Sequence, residues 1–287
     1  MMHLILRTLQ IVAVVGIASS SLYYLLCLWS AAKFLREQDA CARPKRALPP
    51  ISILKPLKGT DPEIYESFRS HCLQDYPEYE IIFGVSDAND PAIESVKALQ
   101  REFPERRIAL VVSPKILGAN VKVSNLAQML LEARHDYLIV NDSDIRVEPE
   151  YLRRVTEPLA ALHVGMVTCL YRGVASATPG SRLEALGIST DFCPSVLAAR
   201  QLEGIHFGLG STLAFRRAEL AKIGGFTSFA DYLADDYELG KRIASLGLRV
   251  QLSEVVVETY LPSYTLREFF AHQLRWARGV RDARKGG

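Results

Sequence analysis

Two kinds of apolar pattern divide the chain. From Leu9 to Trp29 the residues are apolar or small, with Gln10 the only strongly polar side chain and no charge. About twenty such residues match the length a helix needs to cross a bilayer core, so residues 1–31 are expected to form an N-terminal transmembrane anchor. A cleaved signal peptide has a shorter apolar region, roughly 7–15 residues, ending in a small-residue cleavage site. Here the stretch is longer and ends in Tyr23, Tyr24 and Trp29, which suit a membrane–water interface.

Beyond a basic, proline-rich linker at 32–50, short apolar runs alternate with amphipathic ones. The pattern predicts strands at Ile51–Leu54, Glu80–Val85, Arg107–Val112 and Tyr137–Val140, and helices at Pro62–Leu73, Pro91–Glu102 and Val121–Ala133. Pro62 and Pro91 open their helices, where a missing N–H costs nothing. Strands separated by helices of this length imply βαβ units, an α/β fold and a mostly parallel sheet. Ligands of such sheets bind at the carboxyl ends of the strands. Three polar loops reach that edge: Lys55–Asp61, Ser86–Asp90 and the run after Val140. The catalytic domain is therefore expected at 51–262, followed by an amphipathic interfacial helix at 263–287.

Charge and cysteines narrow the class. A formal net charge of +2 gives no global nucleic-acid footprint. Cys27, Cys41, Cys72, Cys169 and Cys193 form no CxxC pair, and this scattered odd set fits a reducing compartment. Lys33, Arg36, Arg43, Lys45 and Arg46 follow the apolar stretch, against Arg7 before it. The positive-inside rule then puts the catalytic domain in the cytoplasm.

Five constellations carry candidate chemistry. Asp142 and Asp144 stand two residues apart directly after an apolar strand. Carboxylates in that place suit Mg²⁺ or Mn²⁺ bridging to a nucleotide diphosphate, although Asp and Ser also make ordinary polar turns. Lys55-Pro-Leu-Lys-Gly-Thr-Asp61 lacks the P-loop spacing; its lysines and the amides near Gly59 can meet a nucleotide or simply line a surface turn. Asp90, before Pro91, can cap the next helix or accept from a base or ribose. Ala234-Asp-Asp-Tyr-Glu238 offers a general base or an acidic helix N-terminus; adjacent Asp235 and Asp236 point to different faces, so at most one is expected to face the site. His272-Gln-Leu-Arg-Trp276 places Arg275 for a diphosphate and Trp276 for a sugar or acceptor. Arg267, Arg275, Arg278, Arg281, Arg284 and Lys285 flank Phe269, Phe270, Leu274 and Trp276, as in a helix lying on an anionic bilayer.

Taken in order, ILKPLKGTDP, QDYPEYEI, DANDPAI, the KVSNL of Lys122–Leu126, NDSDIRV, ADDY and RW resemble the family-2-type (2/21) glycosyltransferases of GT-A fold. The resemblance is strongest to ceramide glucosyltransferases and to bacterial relatives that glycosylate hopanoid lipids. It implies a Rossmann-like GT-A core and an inverting transfer from a UDP-sugar to a membrane lipid. By that resemblance Asp90 contributes to UDP-sugar binding, and Asp142 and Asp144 hold the metal (Mn²⁺ or Mg²⁺) and diphosphate. Asp236 is the base, and Arg275 with Trp276 closes a (Gln/Arg)-x-x-Arg-Trp motif. Lys55, Lys122, Asp235 and His272 complete the expected substrate contacts.

The chain departs from the pattern in places. His272 stands where Gln or Arg is usual. Asp142-Ser-Asp144 replaces the Asp-Ser-Gly of many ceramide glucosyltransferases, and Phe192-Cys-Pro-Ser195 replaces a His-containing motif. Both lean toward the hopanoid relatives, which imply N-acetylglucosamine in place of glucose and a polyol acceptor. Such proteins continue into C-terminal membrane helices, so a truncated C-terminus is expected here. Two other functions use the same features. A processive polysaccharide synthase shares the core and the Arg-Trp ending, but His272 and the single span count against it. A non-catalytic UDP-sugar-binding membrane module would have no need of a base.

Overall fold

The computed structural model describes residues 1–39 and 48–283. Cys41, Arg43, Lys45, Arg46, Arg284 and Lys285 lie outside the described residues. Contacts divide the chain into two units, one of α1 with residues 189–204 and one of residues 48–188 with 205–283.

In the first unit, α1 (Met2–Asp39) is a single helix of 38 residues. At 1.5 Å per residue it is roughly 57 Å long, more than a bilayer core requires, and its Met2–Glu37 stretch is apolar enough to cross a membrane. It runs eight residues past the expected anchor boundary at 31, because Ala31–Asp39 contains no Gly or Pro to stop it. Against it packs α7 (Cys193–Leu202). The Tyr23 hydroxyl lies 2.7 Å from Ser195 Oγ, and Arg200 pairs with Glu37 at 2.6 Å while covering the Phe34 ring. Among the described residues Cys27, Cys72, Cys169 and Cys193 form no disulfide.

The second unit is built on one sheet, eight-stranded among the described residues, in the order β3-β2-β1-β4-β7-β6-β8-β5. Its first half comprises β1 (Ile51–Pro56), β2 (Tyr79–Val85), β3 (Ile108–Val112) and β4 (Tyr137–Val140), all paired in parallel. The connecting helices are α2 (Ile64–Cys72), α3 (Ala92–Glu102) and α4 (Val121–Met129). The βαβ expectation is met, with α4 ending four residues short of Ala133. β1 and β2 are buried on both faces, as their unbroken apolar runs require. Phe68 of α2 meets Phe83 of β2 at 4.6 Å between centroids, both fully buried. Burying each such ring contributes about 1.5–3 kcal/mol.

The second half comprises β5 (Ile145–Arg146), β6 (Val164–Val174), β7 (Leu213–Arg216) and β8 (Arg249–Tyr260). Here β4–β7, β6–β7 and β5–β8 are antiparallel, while the long β6–β8 pair is parallel. Helices α5 (Tyr151–Thr156), α6 (Pro179–Gly187), α8 (Arg217–Lys222), α9 (Asp235–Ser245) and α10 (Leu266–Ala283) accompany it. The two halves meet where β4 pairs with β7, and the loop leaving β4 carries Asp142 and Asp144.

Candidate active site

The loop after β4 is held from beneath. Asn141 is fully buried, and its side-chain amide donates to the Tyr151 hydroxyl at 2.9 Å and to the Ser211 carbonyl at 2.6 Å. Lys55 is also fully buried at the end of β1, with Nζ 2.9 Å from the Asp142 carbonyl oxygen. Burial lowers its pKa to about 7, against the opposing pull of Asp144, Asp142 and Asp61. Expected at a nucleotide, Lys55 instead supports the backbone of the aspartate loop. Ser143 donates to Asp61, and Thr259 of β8 donates to Asp144.

Asp90 joins the two preceding loops. It accepts from the Ala92 amide at 2.9 Å, capping the start of α3, and from the Gly59 amide at 2.9 and 3.1 Å. Gly59 has φ +73°, a conformation that suits residues without a Cβ. Both bonds are internal, so Asp90 fixes the loop after β1 as well as capping a helix.

The decisive contacts come from the other half of the sheet. Asp235 and Asp236 open α9, and both engage the same cluster, contrary to the expectation that at most one would. Neighbours on a helix differ in direction by about 100° rather than facing opposite ways, so both carboxylates can reach one cluster beside the helix end. Asp235 lies 3.2 Å from Lys122 Nζ, and Lys122 lies 2.7 Å from Asp142 Oδ1. Asn120, the cap of α4, donates to the Tyr232 carbonyl at 2.9 Å. Asp236 Oδ2 accepts from the Gly210 amide at 2.8 Å. A Cβ at Gly210 would stand 2.7 Å from Asp142 Oδ2 and 3.4 Å from Asp236 Oδ2. One bare glycine therefore separates the two carboxylates. Burial, and then Asp235, raise the Asp236 pKa to about 6, while Lys122 opposes the rise.

The remaining expected residues lie on α10. His272 Nδ1 is 3.2 Å from the buried Glu184 of α6, and Gln273 donates to the same carboxylate at 2.6 Å. Its ring stacks on Tyr264 and tilts against Trp276. Arg275 is exposed and, among the described residues, makes no ion pair with the acidic cluster. Tyr264 lies within electrostatic reach of both: its pKa is raised by burial and Glu184, lowered by Arg275, and raised again by Asp144 and Asp61. Sequence reasoning missed Asn141, Gly210, Thr259 and Glu184. Gly208-Leu-Gly210 before an apolar run was a usable signal, since glycine beside a strand marks close backbone approach. No local pattern marked the other three.

The carboxylates fit a hard divalent cation. Burial and Asp142 raise the Asp144 pKa to about 6, a sign of crowded negative charge that a cation would relieve. Among the described residues no group of three or more His, Cys, Asp or Glu gathers for a metal. Asp142 and Asp144 are a set of one or two carboxylates such as Mg²⁺ accepts when phosphates and water fill its shell.

Comparison with known proteins identifies the family and the fold. Residues 11–287 match the profile of glycosyl transferase family 21. The chain belongs to that family. It is 26% identical over 235 residues to ceramide glucosyltransferase 1 of Caenorhabditis elegans, covering 81% of this chain and 50% of the relative. Ceramide glucosyltransferase 3 of the same animal is 24% identical over 273 residues, 93% of this chain and 58% of the relative. The family 21 chain thus spans about half the length of these curated relatives. Its fold is similar to a mannosyltransferase from Pyrobaculum calidifontis solved in complex with GDP-Man and Mn²⁺. That likeness has a TM-score of 0.67 at 21% identity and covers 93% of this chain and 73% of the other. The fold is the mixed α/β GT-A type, with a long apolar N-terminal helix.

Proposed function

We propose that this chain catalyses an inverting transfer of one sugar, glucose or N-acetylglucosamine, from a UDP-sugar to a hydroxyl of a membrane lipid, either ceramide or a hopanoid polyol. The observation that carries the reading is the pairing of Asp142 and Asp236 across Gly210. It sets a carboxylate suited to the donor's diphosphate side beside one suited to deprotonating an acceptor. Asp236 has the character a base requires. With a pKa near 6 it is ionised at neutral pH, yet it is a stronger base than an ordinary carboxylate. The acceptor oxygen attacks the anomeric carbon as its proton passes to Asp236, and the bond from that carbon to the diphosphate breaks.

Asp142 and Asp144 would hold Mn²⁺ or Mg²⁺, which supplies Lewis-acid stabilisation of the leaving diphosphate when bound. Lys122 and Arg275 add cationic groups for the same diphosphate, and Trp276 adds a flat face for sugar or acceptor. His272 acts here as a neighbour of Glu184 that sets the pitch of α10. Lys55 and Asp90 hold the loops that frame the nucleotide. The ceramide glucosyltransferase relatives support a lipid acceptor, and the GDP-Man and Mn²⁺ of the mannosyltransferase support a nucleotide-sugar donor and a divalent metal. α1 anchors the chain in the bilayer with the catalytic unit on the cytoplasmic side, as the basic residues after the span favour. α10 exposes Phe270 and Leu274 beside arginines, which suits an anionic bilayer surface.

The test uses the chain in lipid nanodiscs with Mn²⁺, UDP-Glc and UDP-GlcNAc as donors, and ceramide and a polyol hopanoid as acceptors. Mass spectrometry is expected to find one sugar per lipid for one donor–acceptor pair. Long saccharide chains, or UDP-sugar binding without any glycosylated lipid, would overturn the reading.

A further inference from the structure

Lys122 bridges the two halves of the site. Its ammonium lies 2.7 Å from Asp142 Oδ1 and 3.2 Å from Asp235 Oδ2. The other cation at the cluster, Lys55, is fully buried and bonds the Asp142 backbone oxygen, so it leaves the carboxylate free. Lys122 occupies the carboxylate itself. An ammonium and a divalent metal at one carboxylate repel each other, and each weakens the other's hold.

Lys122 also has a flexible side chain. It is half-buried in the first turn of α4, on a flexible four-carbon stem ending in a compact point charge. Its ammonium pairs with Asp142 and Asp235 at once, so leaving Asp142 calls for another anion in its place.

Resting on the metal-and-diphosphate reading above, we propose that Lys122 is a competing cation built into the site: its ammonium holds Asp142 until a donor diphosphate draws it away, so that the divalent metal gains Asp142 together with the donor. Lys122 is thus a positioning residue that couples metal binding to nucleotide binding. The coupling is reciprocal, since each ligand raises the other's affinity by the same factor. It would leave the site with a weak hold on metal between turnovers.

The experiment measures Mn²⁺ binding to the full chain in nanodiscs, by the electron paramagnetic resonance signal of free Mn²⁺, with and without UDP. The wild type is expected to bind Mn²⁺ weakly alone and more tightly with UDP. Lys122→Met is expected to bind Mn²⁺ alone about tenfold tighter or more, with little further gain from UDP. Lys122→Gln, which keeps a polar end, serves if the Met variant misfolds and is expected to shift the same way. Lys222→Met makes the same net charge change at an exposed lysine of α8, and should match the wild type. If both Lys122 variants bind Mn²⁺ as weakly as the wild type with the same UDP gain, while Asp144→Asn still abolishes binding, the competing-cation role is overturned and the metal site survives. If Mn²⁺ binding is indifferent to Asp144→Asn, the metal-site reading itself falls, and the role of Lys122 with it.

Discussion

In the β3-β2-β1-β4 half of the sheet every neighbouring pair is parallel, and the strands are joined through helices of nine to eleven residues. In the β7-β6-β8-β5 half, antiparallel pairs alternate with one long parallel pair, and neighbouring strands are often remote in sequence. The first half is a local construction whose loops share one edge by rule. The second half has no such rule, yet it delivers Gly210, Asp235, Asp236 and Thr259 to that edge. The contrast shows that the proposed metal-side carboxylates are framed by a repeating unit, while the proposed base arrives by a long-range crossing. The site exists only where β4 and β7 pair.

The contrast can be broken most severely at its far side. Asp236→Asn keeps the Gly210 contact sterically but removes the base, and transfer is expected to fall by about 10²–10⁴-fold while UDP binding persists in a calorimetric titration. The same carboxylate sets the acid limb of the rate profile. The base works deprotonated, and its pKa is raised from 3.8 to about 6, so transfer should decline as the pH falls through about 6. Residual turnover of Asp236→Asn should lose that limb.

A milder break targets the boundary itself. Gly210→Ala puts a methyl group 2.7 Å from Asp142 Oδ2, so one of the two carboxylates must move. A displacement of about 1 Å can cost about 10²-fold in rate, read in the same lipid assay with thermal unfolding nearly unchanged. Sharpening the contrast at its weakest point, Arg172→Ala removes a pair with Glu258 between β6 and β8 in which Arg172 is 67% exposed. Such pairs contribute at most about 1 kcal/mol, so unfolding in denaturant should barely shift and transfer should not change.

The same division explains what could be read in advance. Periodicity alone places β1 to β4 and their helices, because each strand is a short apolar run bounded by polar loops. It also brings Asp142 and Asp144 to the correct edge. The second half resists because its pairings depend on partners tens of residues away, such as β6 with β8. Lys55 shows what a strand-end lysine leaves unsaid: besides the ligand contact its position suggests, the folded chain buries it against a carbonyl and neighbouring aspartates. Asp235 shows another limit, since neighbours about 100° apart on a helix can both reach a cluster that Lys122 and Gly210 bring to the helix end. Glu184 accepts from Gln273 and lies beside His272, and Thr259 donates to Asp144, all from distant segments, so only the folded chain reveals them.

The most direct test asks whether Asp142 and Asp236 act as one site. Transfer rates of Asp142→Asn, Asp236→Asn and the double variant complete a thermodynamic cycle. Residues that work as a unit lose little more together than the worse one loses alone. The account predicts that strongly non-additive result; losses that simply multiply would mean that the two carboxylates serve independent sites, and would contradict it.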